Sequence, residues 1–308
     1  VCRTITSSVI FASLFGNTIM NIHMSNYGQS VKVRLFNLAK RENIRYQQLV
    51  TRYFQERLLF RLSLSEYRAH FVLKGGALLY AYERFAARPT LDIDFMGNRI
   101  DNNQENIKAA FCSICDISYE ADGVHFHADT LTADAITVEK EYPGIRVSLI
   151  ATLDSIRQSI SMDIGFGDIV IPKPVELDYP VLLADFPSAN IIAYSLETVV
   201  AEKFQTMIER TTFNSRMKDF FDLYRIFLKQ SFNSALLQEA IQATFVNRGT
   251  HYSDNHILFS DNFSQDAELN LRWNAFLKKI EYKPIVPFAE VMNCIVQWLK
   301  PYWESIKD

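Results

Sequence analysis

The feature that most narrows what this chain can fold into is a short run of alternating residues, Leu91-Asp92-Ile93-Asp94-Phe95, set a helix's length beyond a Gly-Gly pair. Strand side chains alternate with period two, so Leu91, Ile93 and Phe95 point to one face and Asp92 and Asp94 to the other. Upstream, AHFVLK is an apolar run that stops at Gly75 and Gly76, and ALLYAYERF follows with helical character. The segment therefore reads as strand, glycine turn, helix, short link (ARPT) and strand. Same-face neighbours on one strand lie roughly 6.5–7 Å apart at the backbone, so two carboxylate tips can converge on shared cations.

A third acid arrives on another strand. In Ser155–Ile164, Ile156, Ile160, Met162 and Ile164 share one parity, with Gln158 as an exception, and Arg157, Ser159, Ser161 and Asp163 share the other. Asp163 thus ends a polar face. Carboxylates gathered in this way suit the holding of two magnesium ions about 4 Å apart and the removal of a proton from an attacking hydroxyl. Gly75 and Gly76 bring bare backbone N–H groups to a helix start, a setting that suits a triphosphate, and Lys74 adds a charge beside it. Taken singly, an Asp-x-Asp is common on surfaces and a Gly-Gly is most often a tight turn; their order along the chain is what carries the reading.

Around this centre, apolar spacing predicts two amphipathic helices between Val31 and Leu64, broken near Glu42–Ile44, and a helix over Gln104–Cys115. Strands are expected at Val124–His127, Ala135–Glu141, Ile145–Leu153 and Ser155–Ile164, with a Tyr-Pro-Gly turn after the second. Pro172–Pro187 reads as an irregular link. Beyond Ser195 the pattern is helical to Thr211, again over Met217–Phe232, and onward to Trp298. The expected class is α+β: N-terminal helices, a mixed-sheet core and a helical C-terminal half. The domain division is 1–23 as an extension, 24–190 as helices plus core, and 191–308 as a helical domain.

Composition excludes several classes. The chain has 308 residues, 48% hydrophobic and 22% charged, with a formal net charge of −3; its surface as a whole is not built for nucleic acid. A local exception is Val31–Arg68, where Lys32, Arg34, Lys40, Arg41, Arg45, Arg52, Arg57, Arg61 and Arg68 face only Glu42, Glu56 and Glu66. Those residues form either an RNA-facing surface or two solvated helices. Four cysteines are too few for a disulfide framework and fit a reducing cytosol. Cys112 and Cys115 form a CxxC with His125 and His127 beyond, but the helical, apolar AAFCSICDI context reads as core before zinc. No apolar run approaches the ~18 residues of a membrane span, so a cytoplasmic protein without membrane contact is expected. Residues 1–23 read as an upstream extension of such a protein rather than a secretion signal, with Met24 opening a natural start. Tyr179, Trp273, Trp298 and Trp303 read as core or interface.

In LETVVAEKFQTMIERTTFNSRMKDFFDLYRI, a helix carrying Lys203 precedes one opening with Arg216, Lys218 and Asp219 and carrying Asp222. A surface pairing of Lys218 with Asp222 at i, i+4 is worth only ~0.5 kcal/mol. Apolar groups surround most of this helix, so its charges are expected to be enclosed and to need partners.

At these residues the chain resembles the AbiEii/AbiGii toxin family of nucleotidyltransferases, a branch of the DNA polymerase beta-like fold. The resemblance runs over FVLKGGALLYAYERFAARPTLDIDF, SMDIGFGD and the EKF through RMKDFFDLY helices, roughly residues 70–230. It implies that Gly75 and Gly76 form the phosphate-side turn, that Asp92, Asp94 and Asp163 bind Mg2+ in a two-metal site, and that Lys203 contacts the triphosphate. Lys218 and Asp219 would complete the catalytic pocket, with Lys74 and Arg216 among the nucleotide-binding residues; Lys203 and Asp219 would come from the C-terminal domain. Ala77 and Thr90 stand where the family often has Ser, which removes a hydroxyl at the first position. The implied activity is transfer of a nucleotide from an NTP to an RNA acceptor, in several relatives the 3′ end of tRNA, by the toxin of a toxin–antitoxin or phage-defence system with a cognate antitoxin encoded nearby. The residues themselves leave the acceptor open between RNA, a small molecule and a protein hydroxyl. A nucleotide-binding module without turnover is disfavoured by the presence of all three strand acids and Lys203.

Overall fold

A computed structural model describes residues 26–136, 144–213 and 216–307. The expectations for residues 1–23, for Cys2 and for the Tyr-Pro part of the turn lie outside them. The chain enters through two helices, α1 (Tyr27–Glu42) and α2 (Tyr46–Leu64). The Asn26 side chain caps the first by accepting from the Gln29 N–H, and Asn43 ends it in the left-handed conformation, which Asn tolerates well. This is the expected pair with the expected break.

The sheet comprises β1 (Phe71–Lys74), β2 (Asp92–Gly97), β3 (Val124–Ile136), β4 (Gly144–Leu153), β5 (Ile156–Gly165), β6 (Val175–Tyr179) and β7 (Ala189–Ala193). They lie in the order β3-β4-β5-β2-β1-β7-β6. β2 runs parallel to β5 and antiparallel to β1, and β1 runs parallel to β7, so the sheet is mixed. Helix α3 (Gly75–Glu83) joins β1 towards β2, and α4 (Gln104–Cys115) follows β2.

Register decides which face is core. Ile93 pairs with Met162 and Phe95 with Ile164, and all four are buried. Phe95 and Phe71 both meet Phe111 of α4, which lies on that face. A one-residue slip would expose these side chains and bury the aspartates. At ~1.5–3 kcal/mol for each large apolar side chain, that alternative is far out of reach.

Four readings differ from the structure. Leu91 precedes β2 and is 73% exposed. The strand expected at Val124–His127 and the start of the one expected at Ala135 belong to one long strand, β3, whose register shifts between His127 and Thr132; a bulge here mimics a break in alternation. The supposed link at Pro172–Pro187 contains β6, which pairs with β7 and extends the sheet beyond β1. The expected division at 190/191 consequently falls inside β7.

The fourth concerns the basic segment, most of whose charges have partners within the protein, two of them in its interior. Arg57 and Arg61 are buried. Arg61 grips Asp122 through two hydrogen bonds of 2.8 and 3.2 Å, and Arg57 pairs with Glu56 and donates to the Pro187 carbonyl. Arg52 lies 3.8 Å over the Tyr80 ring. Lys32 meets Asp154, Arg34 meets Asp185, and Arg68 meets Glu176. The segment as a whole is thus neither an RNA-facing surface nor a pair of solvated helices, although Lys40, Arg41 and Arg45 stay exposed.

After β7 come α5 (Leu196–Arg210), α6 (Met217–Lys229), α7 (Ser234–Asn247), α8 (Asp261–Gln265), α9 (Ala267–Lys279) and α10 (Phe288–Glu304). α6 is the hub: Phe221 packs on Trp273, Phe276 and Tyr282, and Phe227 stacks on Trp298 at 5.0 Å. Tyr179, Trp273 and Trp303 are buried. Cys115 is buried too, and burial pushes its thiol up to about 12, which suits core rather than reactivity. No helix among the described residues is long and apolar enough to cross a membrane.

Two measurements check the buried charges of α2. Arg61→Ala would strand Asp122 without its partner and is expected to cost about 3–5 kcal/mol in urea unfolding. Burial, only partly offset by Arg57 and the Leu182 N–H, raises the Glu56 carboxyl from 4.5 to about 7. The folded state therefore binds the extra proton across that window. Stability from this group is present below pH 4.5 and is lost as pH rises towards 7, by on the order of 3 kcal/mol at 1.36 kcal/mol per unit. Glu56→Gln should flatten that part of the stability–pH curve.

Candidate active site

β2 and β5 bring three acids to the face opposite the core. Asp94 is the register partner of Asp163, and Asp92 that of Ser161, on strands about 4.8 Å apart. Asp92 feels the crowding: burial first, then Asp163 and Asp94, raise its pKa, with Arg146 and Lys218 pulling the other way. Uncompensated carboxylates on a shared face favour a hard cation with oxygen ligands.

Asp163 already has a partner. Arg146 stands opposite it on β4 and donates to both carboxylate oxygens at 2.7 Å. The hydrogen bonds and charge of Asp163 raise the guanidinium pKa further. Among the described residues no three His, Cys, Asp or Glu side chains form a ready-made metal cage. Arg146 was absent from the sequence expectations, although hairpin arithmetic points to it: Leu153 pairs with Ile156 across the turn, and counting back seven from each end reaches Arg146 and Asp163.

The glycine turn is shaped by the acids. Gly75 has φ +67°, and a Cβ there would stand 1.9 Å from Asp94 Oδ2. A Cβ on Gly76 would lie 2.9 Å from the Thr90 hydroxyl oxygen and 3.4 Å from Arg88 Nη1. The missing side chains thus admit the Asp94 carboxylate to the positive end of α3, where charge is favourable, and let the Arg88–Thr90 link close over the helix start. The Thr90 hydroxyl donates to the Asp92 carbonyl at 3.2 Å.

Lys74 departs from expectation. Its ammonium turns to Asp168 at 2.8 Å and Glu202 at 3.5 Å, and Asp168 also receives Arg248. Burial opposes the Lys74 charge, but Glu202, Tyr194 and Asp168 outweigh it and raise its pKa. Here Lys74 ties the glycine turn to α5 rather than presenting its charge to a ligand.

The helices supply the opposing wall. Lys203 of α5 bridges Asp219 and Asp222 of α6, at 2.8 Å to each. Asp222 also receives the Arg88 fork at 2.9 and 3.0 Å, and Arg216 reaches Asp219 at 2.8 Å. Burial works against ionised Asp219, yet Lys203 and then Arg216 prevail and hold it below the ordinary carboxylate value. Burial likewise opposes the charge of Lys203, and Asp219 and Asp222 prevail and raise it. Asp222 therefore pairs with Lys203 and Arg88, not with Lys218. Lys218 is exposed; desolvation of its stem, then Arg216 and Arg88, lower its pKa, against a pull from Asp94. Arg88, in the ARPT link, was also missed, since nothing local marks it as the partner of a helix 134 residues away.

Acids on the sheet face cations from the link and the helices, an arrangement able to hold a cation and a polyphosphate together. The family model described as "Nucleotidyl transferase AbiEii toxin, Type IV TA system" matches residues 57–294. A search of curated proteins finds no match. Among solved structures, JHP933 from Helicobacter pylori is similar over 85% of this chain and 94% of its own, with 14% identity and a TM-score of 0.50, which speaks to the fold alone. A nucleotidyltransferase candidate from H. pylori aligns over 86% of this chain and 98% of its own, with 15% identity and a TM-score of 0.48.

Gly75→Ala tests the turn. It is expected to push the Asp94 carboxylate out of place and lower nucleotidyl transfer about 100-fold, the scale of a 1 Å misplacement. Gly249→Ala is the control. Gly249 also has positive φ, +62°, but a Cβ there meets nothing within 4 Å; it should cost about 1 kcal/mol in melting analysis and leave transfer intact.

Proposed function

Because the chain belongs to the AbiEii family, the nucleotidyltransferase toxins of type IV toxin–antitoxin systems, we propose that it moves a nucleotide from an NTP onto the 3′ hydroxyl of an RNA acceptor, the 3′ end of tRNA, in the cytoplasm. An antitoxin encoded nearby restrains it, and the pair serves in phage defence. One observation carries the reading: Asp92, Asp94 and Asp163 share a sheet face that feels Arg88 and Lys218, with Arg88 sensing Asp94 and Lys218 close enough to Asp92 and Asp94 to shift the titration of Asp92 and to be shifted itself.

The donor set fits magnesium, with hard carboxylate oxygens whose repulsion is already felt at Asp92. Asp92 and Asp94 would hold it, joined by Asp163 where two ions bind, and when bound it would supply positive charge to the triphosphate and its leaving group. The chain's own groups do the rest. Lys218 and Arg216 bind phosphate oxygens from the open side of the cleft, while Lys203 and Arg88, fixed by Asp219 and Asp222, present charge that needs no reorganisation. The α3 N-terminus beside Gly75 and Gly76 adds backbone N–H donors. The acceptor hydroxyl oxygen bonds to the α-phosphorus as the bond to pyrophosphate breaks, and its proton passes to Asp163. Asp163 serves once Arg146 has been drawn away to phosphate, since the guanidinium otherwise occupies both of its oxygens.

The decisive experiment incubates the chain with Mg2+, each labelled NTP in turn and total RNA, beside Asp94→Ala and a chelator control. Label should enter an RNA band with the unaltered chain and Mg2+ only; NTP binding with no labelled RNA would overturn the RNA reading. Arg146→Gln should release Asp163 and tighten Mg2+ binding by about tenfold in calorimetry, the scale of 1.4 kcal/mol. Mg2+ affinity should also weaken as pH falls through the raised pKa of Asp92, because protonation removes a ligand.

A further inference from the structure

Between the α1–α2 corner and the α9–α10 connection lies a groove of about 1710 Å³. Seven of its lining residues are Lys or Arg and two, Glu42 and Glu281, are acids, in a chain whose net charge is −3. Four of the seven cations have partners: Arg45 with Glu281, Arg225 with Glu83, Arg88 with Asp222, and Arg52 over the Tyr80 ring. The other three, Lys40, Lys278 and Lys283, have no carboxylate at ion-pair distance among the described residues. Lys40 extends over the ring of Phe36, 4.4 Å from its centroid.

Two further features narrow what would lie there. Phe36 is 44% exposed and stands edge-on to Tyr46, so the groove offers apolar ring surface between its lysines. The groove also reaches the acid-bearing strand: Arg88 and Pro89 line it, and Thr90 and Asp92 follow directly. Arg88 Nη1 is the atom 3.4 Å from the position a Cβ would take on Gly76. The groove therefore borders the link that closes over the glycine turn.

We propose that this groove is the track on which a single-stranded segment of the acceptor RNA lies as its 3′ end enters the active site. The proposal rests on the RNA-acceptor reading above and adds where the RNA binds. An unpaired base stacks on the exposed Phe36 ring while the phosphates follow the lysines, the combination that single strands use; a duplex hides its base faces and would leave the ring idle. An acidic protein partner would satisfy the lysines but would have no need of a groove bordering the Arg88–Pro89 link before the acid-bearing strand.

The test is anisotropy titration of a labelled unpaired RNA oligonucleotide against the full chain and against the triple variant Lys40→Gln/Lys278→Gln/Lys283→Gln. The expected result is at least tenfold weaker binding and a salt dependence shallower by about 2 in log–log slope, from ~0.7 per lost phosphate contact. NTP binding and the melting midpoint should be unchanged, which separates a groove defect from misfolding. Labelled-NTP transfer is run on both proteins. Unchanged RNA affinity in a folded variant, with transfer to RNA intact, overturns the groove and leaves the RNA reading standing. Absence of transfer to any RNA by the unaltered chain is instead the failure of that reading. Unchanged RNA affinity together with loss of co-purifying antitoxin overturns the proposal in favour of a protein-binding surface.

Discussion

The structure turns on the approach of the Asp94 carboxylate to the backbone of Gly75. That contact exists because β1 and β2 pair antiparallel with Lys74 opposite Asp94, and because the chain leaves β1 through a positive φ at a residue with no side chain. The rest of the acid face is counted from it: β2 alternation sets Asp92, and the parallel register with β5 sets Asp163. The apolar parity of the same strands locks this register from the other side, through Ile93, Phe95, Met162 and Ile164. Core and site are thus two faces of one alternation, and neither can shift without the other.

Period-two alternation is local, which is why the shared face of Asp92, Asp94 and Asp163 could be read from sequence together with the glycine turn. The residues that complete the picture depend on distant pairing. Arg88 is explained only by Asp222, and Lys74 only by Asp168 and Glu202. Counting charges along α1 and α2 failed for the same reason. A tally cannot tell that Arg61 is buried against Asp122, or that the peptide at Leu182 donates to Glu56. β6 and β7 were lost because prolines around them outweighed two short runs of five residues, although Val175, Leu177 and Tyr179 do alternate.

The two walls of the site are organised differently. The sheet wall carries repelling carboxylates, one of which is neutralised by a half-exposed arginine. The helical wall is largely paired within itself, with Lys203 held between two buried aspartates. A satisfied buried network is rigid and needs little rearrangement on binding; an unsatisfied exposed face is where binding energy remains to be gained. On the proposed reading, the division suits an enzyme that keeps phosphate-binding charges fixed while its cation and acceptor come and go.

Asp222 accepts from Arg88 on one side and Lys203 on the other, so one carboxylate joins the link before β2 to both α5 and α6. Loss of any one of the three strands a charge in a poorly hydrated place, at a cost that a single later substitution elsewhere cannot easily offset. In descent, these positions should therefore drift as a set rather than one at a time. The constraint extends across the boundary between sheet and helices: a chimera that took its sheet from one ancestor and its helices from another would inherit half of a handshake.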